Sequence, residues 1–110
     1  MNKNLVSEGK TFINNHNIDG LSCHYGYMKE LNQTNEYNCN DQYIFQQLFT
    51  HACLKKKKDI IIFLIRLYFE IFDEFSQIAL RHSFVYAKYT IKNDKSLFNW
   101  YDKHIIPLIK

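Results

Sequence analysis

Turn-forming residues are scarce in this chain. It has one proline, Pro107, and three glycines among 110 residues. β-Sandwiches and barrels consume both at their many turns, so the shortage argues for long helices. Long apolar runs are missing too. The densest stretch, Ile60 to Phe72, is interrupted by Arg66 and Glu70. It falls short of the ~20 apolar residues of a membrane span and reads as a buried helix. Cysteines number three, Cys23, Cys39 and Cys53, so any disulfide scheme leaves one unpaired. Met1 to Lys10 is polar and lacks a secretory pattern, which makes reduced thiols in a cytosolic protein the expectation. Neither charge sign dominates: the formal net charge is +3, too small to demand a nucleic-acid partner. Three scattered glycines cannot build a phosphate cradle, and no dinucleotide fingerprint or paired-carboxylate motif occurs.

What is present suits one small globular domain. Apolar residues make up 46% and charged residues 23%, the balance of a chain that buries a core. With nine phenylalanines and eight tyrosines, much of that core must be aromatic. The chain is organised around His51 to Ile65. An apolar face ends at Ala52 and Cys53, four lysines follow at Lys55 to Lys58, and Asp59 opens the apolar run. This is the pattern of two antiparallel helices joined by a tight basic turn.

The first helix of that pair is expected over about 42–54, capped by Asn40 or Asp41. Ile44, Phe45, Leu48, Phe49, Ala52 and Cys53 recur at steps of one and three and share one face. The second is expected over about 59–71, with Asp59 favouring its positive N-terminal end. Asp73 is a candidate cap for a third helix over about 74–91. There Phe75, Ile78, Ala79, His82, Val85, Tyr86 and Tyr89 form an apolar stripe, expected to pack on the second helix opposite the first. A last helix is expected over about 95–106, stopped or bent by Pro107. Residues 1–40 read as an irregular or degenerate segment, punctuated by Asn and with a tight turn at Ile18-Asp19-Gly20-Leu21. The reading is therefore all-α: a helical hairpin and two further helices over 41–110, preceded by the irregular segment 1–40.

The stretch Leu48 to Ile65 resembles an ankyrin-type helical repeat. Ala52 and Cys53 stand where that repeat has two small residues, and Ile60, Ile61, Phe63, Leu64 and Ile65 stand at apolar positions of its second helix. Lys56 replaces the usual turn glycine, and no threonine-proline pair opens the repeat. The second helix runs on through Tyr68, Phe69, Glu70 and Ile71, followed by Phe75 and Ile78-Ala79-Leu80. That modified pattern resembles the multigene family 360 proteins of African swine fever virus, and the related 505 family, over about residues 42–92. The resemblance implies a short or truncated member with divergent ankyrin-like repeats. It implies a non-enzymatic protein of the host cell cytoplasm that contacts host proteins and affects host range, macrophage tropism and interferon responses. It implies no cofactor.

Cys23, His24, Cys39, His51 and Cys53 could suggest a zinc-stabilised module. They lack a paired C-x-x-C knuckle, and His51 and Cys53 do not share a helix face, so no metal site is assigned. Cys53 with His51 or His82 could suggest a thiol nucleophile and base, but no orienting group or oxyanion donor accompanies them, and no catalytic residue is assigned. A small nucleic-acid or anionic-surface binder would use Lys55, Lys56, Lys57 and Lys58; a solvated turn is the plainer expectation, with no specific nucleic acid bound. Phe98, Trp100 and Tyr101 need cover in the last helix. With the four lysines they form the candidate interaction surface, Trp100 being expected at its partly exposed docking edge. The sequence leaves the host partner and the oligomeric state open.

Overall fold

The computed structural model describes residues 3–34 and 41–109, and among them it contains helices and no strand. The helices are α1 (Lys3–Asn14), α2 (Ile18–Thr34), α3 (Asp41–Leu54), α4 (Lys58–Ile71), α5 (Glu74–Thr90), α6 (Lys95–His104) and the short α7 (Ile106–Ile109). The all-α fold agrees with the sequence, and α3 to α6 begin and end close to where the apolar periodicity places them. The cap expected at Asp73 is present: its carboxylate accepts from the Ser76 N–H at 2.8 Å. Asp94 caps α6 in the same way, accepting from the Leu97 N–H at 3.1 Å. The cap expected at Asn40 or Asp41, like Cys39, lies outside the described residues and side chains.

Two expectations about the N-terminal part are corrected. Most of the segment read as irregular forms α1 and α2. The turn expected at Ile18 to Leu21 is instead the first turn of α2, with Asn17 before it as a cap whose side chain accepts from the Gly20 N–H at 2.9 Å. Asparagine caps helices as readily as it makes turns, and the two uses look alike in sequence. Leu5, Ile13, Leu21 and Tyr25 join the same apolar cluster as the residues of α3 and α4.

The chain reverses after α1 and again after α3 by the same device. The Asn15, His16 and Asn17 amides donate to the carbonyls of Thr11, Ile13 and Phe12; those of Lys55, Lys56 and Lys57 donate to His51, Cys53 and Ala52. Each pattern is a Schellman closure with one left-handed residue, His16 at φ 56° and Lys56 at φ 59°. Burial follows the same forty-residue offset: Leu5, Gly9, Ile13, Leu21, His24 and Tyr25 are buried, and so are Phe45, Phe49, Cys53, Ile61, Leu64 and Ile65. The first two hairpins are thus one structural repeat. Its period lies nearer the roughly 40–47 residues of HEAT-type helix pairs than the roughly 33 of ankyrin.

The packing centre is α3, with α1 on one side and α5 on the other. α1 comes close to α3 at Gly9, where even a Cβ would stand 2.5 Å from Leu48 Cδ1. Ala52 and Cys53 are fully buried beside the turn into α4. Around them sits an aromatic cluster. Phe84 of α5 meets Phe49 edge-to-face at 4.9 Å and Tyr68 at 4.8 Å, a geometry that adds roughly 0.5–1.5 kcal/mol per pair beyond area burial. Two of the core tyrosines donate their hydroxyls to backbone carbonyls, Tyr68 to Gln77 at 2.6 Å and Tyr101 to Phe84 at 2.7 Å.

The third helix of the sequence reading is corrected in orientation. α5 packs chiefly on α3, and it does so through Leu80, Phe84, Ala87 and Ile91, at steps of four, three and four. The stripe expected to be core faces the opposite way, into solvent. Both faces are apolar at helical spacing, so periodicity alone could not choose between them.

Candidate interaction surface

The exposed side of α5 carries Phe75, Ile78, Val85, Tyr86 and Tyr89, which are 83%, 56%, 45%, 66% and 60% exposed. Ala79 and His82 lie among them, also exposed. At 100° per residue these positions span an arc of roughly 120° on one side of the helix. Three aromatic rings, each offering about 150–250 Å², make the patch several hundred Å² in extent. Isolated exposed apolar residues are ordinary; a contiguous stripe of this size is a candidate contact surface.

The lysine turn is differently used. Lys56 Nζ bridges to Asp94 at 3.0 Å, Lys57 Nζ donates to the Asn14 carbonyl at 3.3 Å, and Lys58 Nζ lies 5.3 Å from the centre of the Trp100 ring. The turn therefore ties α1, the α5–α6 connection and α6 together. Asp59 is paired as well, with His16 Nε2 at 2.5 Å. The capping bond from the Leu97 amide and the Lys56 ammonium hold the Asp94 carboxyl below its usual range.

Of the aromatic candidates in α6, Trp100 and Phe98 are half-buried against the core, and Phe98 lies under Lys88 Nζ at 4.9 Å. Tyr101 is corrected: it is fully buried, and burial pushes its phenol upward from the ordinary tyrosine range. It is a core residue that closes α6 onto α5.

The metal and nucleophile candidates do not converge. His24 Nε2 donates to the Leu5 carbonyl at 2.8 Å, and burial lowers its pKa. His51 Nε2 pairs with Asn14 Oδ1 at 2.8 Å; burial and the nearby Lys10 and Lys55 lower its pKa. Cys53 is fully buried and its thiol is pushed up to about 12 by desolvation, which leaves it un-ionised and unreactive at neutral pH. Cys23 is exposed on α2, beside an open depression lined also by Glu8, Phe12 and His24. Among the described residues no three His, Cys, Asp or Glu side chains gather where they could hold a metal ion. No described helix is long and apolar enough to cross a membrane.

The sequence reading had the α5 residues in hand but gave them to the core. The signal that could have assigned them was the second apolar series, Leu80, Phe84, Ala87 and Ile91, in the same helix. Comparisons with protein-family models, with curated proteins and with solved structures found no match for this chain.

Proposed function

We propose that this chain is a non-enzymatic viral host-interaction protein that works by protein–protein contact in the cytoplasm of the infected cell. The observation that carries the contact role is the exposed apolar stripe of α5. Stacked helical hairpins with a repeated turn are also the architecture of proteins whose extended surfaces bind other proteins. The viral setting rests on the resemblance of the Ala52 to Leu80 pattern to the multigene families 360 and 505. On that basis the role is in host range, macrophage tropism and dampening of interferon responses.

The test is affinity capture from infected macrophages with the tagged chain and with a Tyr86→Asp/Tyr89→Asp variant. Both substitutions are on the exposed face, so the fold should persist, which circular dichroism checks. Host proteins recovered with the wild type and lost with the variant are the expected result. A recovery profile equal to that of the tag alone would overturn the reading.

A further inference from the structure

We propose that the end of the molecule formed by its three helix-to-helix turns docks an acidic peptide segment, seated in the cleft between the α3–α4 turn and the α5–α6 turn. This surface is separate from the exposed stripe of α5 and goes beyond the contact role assigned to that stripe.

The turns form one edge because side chains join them in order. His16 of the first turn hydrogen-bonds to Asp59, Lys57 Nζ donates to the Asn14 carbonyl, and Lys56 of the second turn bridges to Asp94 of the third. Residues 14–19, 54–59 and 90–95 thus lie side by side. Charge is concentrated there. Of the chain's fourteen cationic and eleven acidic side chains, this edge holds six lysines and three aspartates. Eight of each sign remain elsewhere, so the whole formal charge of +3 belongs to the edge. Two of its three aspartates are already engaged, by His16 and by Lys56. Lys55, Lys92 and Lys95 are exposed and make no ion pair among the described residues. Like charges gathered at one edge repel one another, and an anionic partner relieves that repulsion.

Between the second and third turns the edge opens into a cleft of about 530 Å³, a size within the range of ligand pockets. Leu54, 55% exposed, and Ile91 line it with apolar surface, and Lys56, Asn93 and Lys95 line it with hydrogen-bond donors. Asp94 also lies in the lining, its carboxylate taken up by Lys56 and by the Leu97 N–H. That combination favours a peptide over a nucleic acid. An apolar side chain can cover Leu54 while neighbouring carboxylates meet Lys55, Lys92 and Lys95. No described arginine or aromatic ring lines the cleft to fork a phosphate or stack a base.

The experiment titrates the full purified chain into a labelled short peptide of glutamate and aspartate with one central leucine, and reads fluorescence anisotropy. Saturable binding is expected, weakened about tenfold or more in Lys92→Glu/Lys95→Glu. Glutamate at position 95 suits the first turn of α6, so this variant should fold, which circular dichroism checks. Arg66→Glu/Lys103→Glu makes the same change of net charge away from the edge and should bind as the wild type does. A peptide with serine in place of leucine should bind several-fold more weakly, and so should Leu54→Ser with the original peptide. Absence of saturable binding overturns the site. Equal losses in the two charge-reversal variants reduce the effect to net charge and overturn it too, and indifference to the leucine removes the cleft from it. Single-stranded RNA or phosphatidylserine vesicles bound more tightly than the peptide at equal salt would give the edge to phosphates and overturn the peptide. Tyr86→Asp/Tyr89→Asp should bind the peptide normally; a loss there would move the peptide to the α5 stripe and overturn a separate surface.

Discussion

His16 and Lys56 stand at the same point of two successive turns, forty residues apart, and both adopt a left-handed backbone that glycine would occupy without strain. The hydrogen bonds around them are the same, residue for residue. A side chain in this region costs about 1–2 kcal/mol relative to glycine, and each site recovers part of that through an aspartate, His16 by a hydrogen bond to Asp59 and Lys56 by an ion pair to Asp94.

The first expectation follows from that strain. Lys56→Gly should stabilise the chain by about 0.5–1 kcal/mol, since the exposed bridge it removes contributes little. Lys56→Val should destabilise it, because β-branched side chains fit this conformation worst. Thermal melts of the two variants should move in opposite directions from the wild type; a melt lowered by glycine would show that the turn owes more to its lysine contacts than to its backbone.

The second concerns the fully buried Ala52 at the end of α3. Ala52→Trp should overpack the junction with α4 and destabilise by roughly 1–3 kcal/mol or more. Urea denaturation measures the loss. An unchanged midpoint would mean that the two helices are not in close contact there.

A third expectation concerns pH. Burial lowers the pKa of His24 from its ordinary 6.5, and of His51 likewise. The unfolded chain therefore binds a proton at a higher pH than the folded one. Stability should fall as pH drops below about 6.5, and the fall should level off once the folded imidazoles also protonate. The capping carboxylates Asp73 and Asp94, whose pKa values are lowered, contribute a separate loss below about 3.8. An NMR titration should place His24 below 6.5; a value at or above it would contradict the assigned burial.

The fourth concerns the lysine turn and the only tryptophan. Trp100 is half-buried under Lys58, so a neutral quencher such as acrylamide should reach it to an intermediate extent. Lys55–Lys58 changed together to Ser should raise that quenching and lower the melting temperature by only a few degrees, since exposed cationic contacts are individually weak.

The sequence by itself determined the helical class and the bounds of α3 to α6. Those properties depend on local spacing, on caps such as Asp73, and on the shortage of glycine and proline. It also marked Ala52 and Cys53 as buried, because small residues at the end of an apolar face next to a turn have little other use. It did not separate an asparagine that caps a helix from one that makes a turn, and so concealed α1 and α2. Nor did it choose between the two apolar faces of α5. Only the tertiary structure decided that, because which face is covered depends on where α3 lies, and the aromatic rings of Phe49 and Tyr68 are placed to receive Phe84 and not Tyr86. The same holds for the lysines: their number in a row suggests free charge, while their positions beside Asn14, Asp94 and Trp100 come from chain segments up to forty-three residues away. Local pattern fixes what a segment becomes; the meeting of distant segments fixes which of its faces remains for a partner.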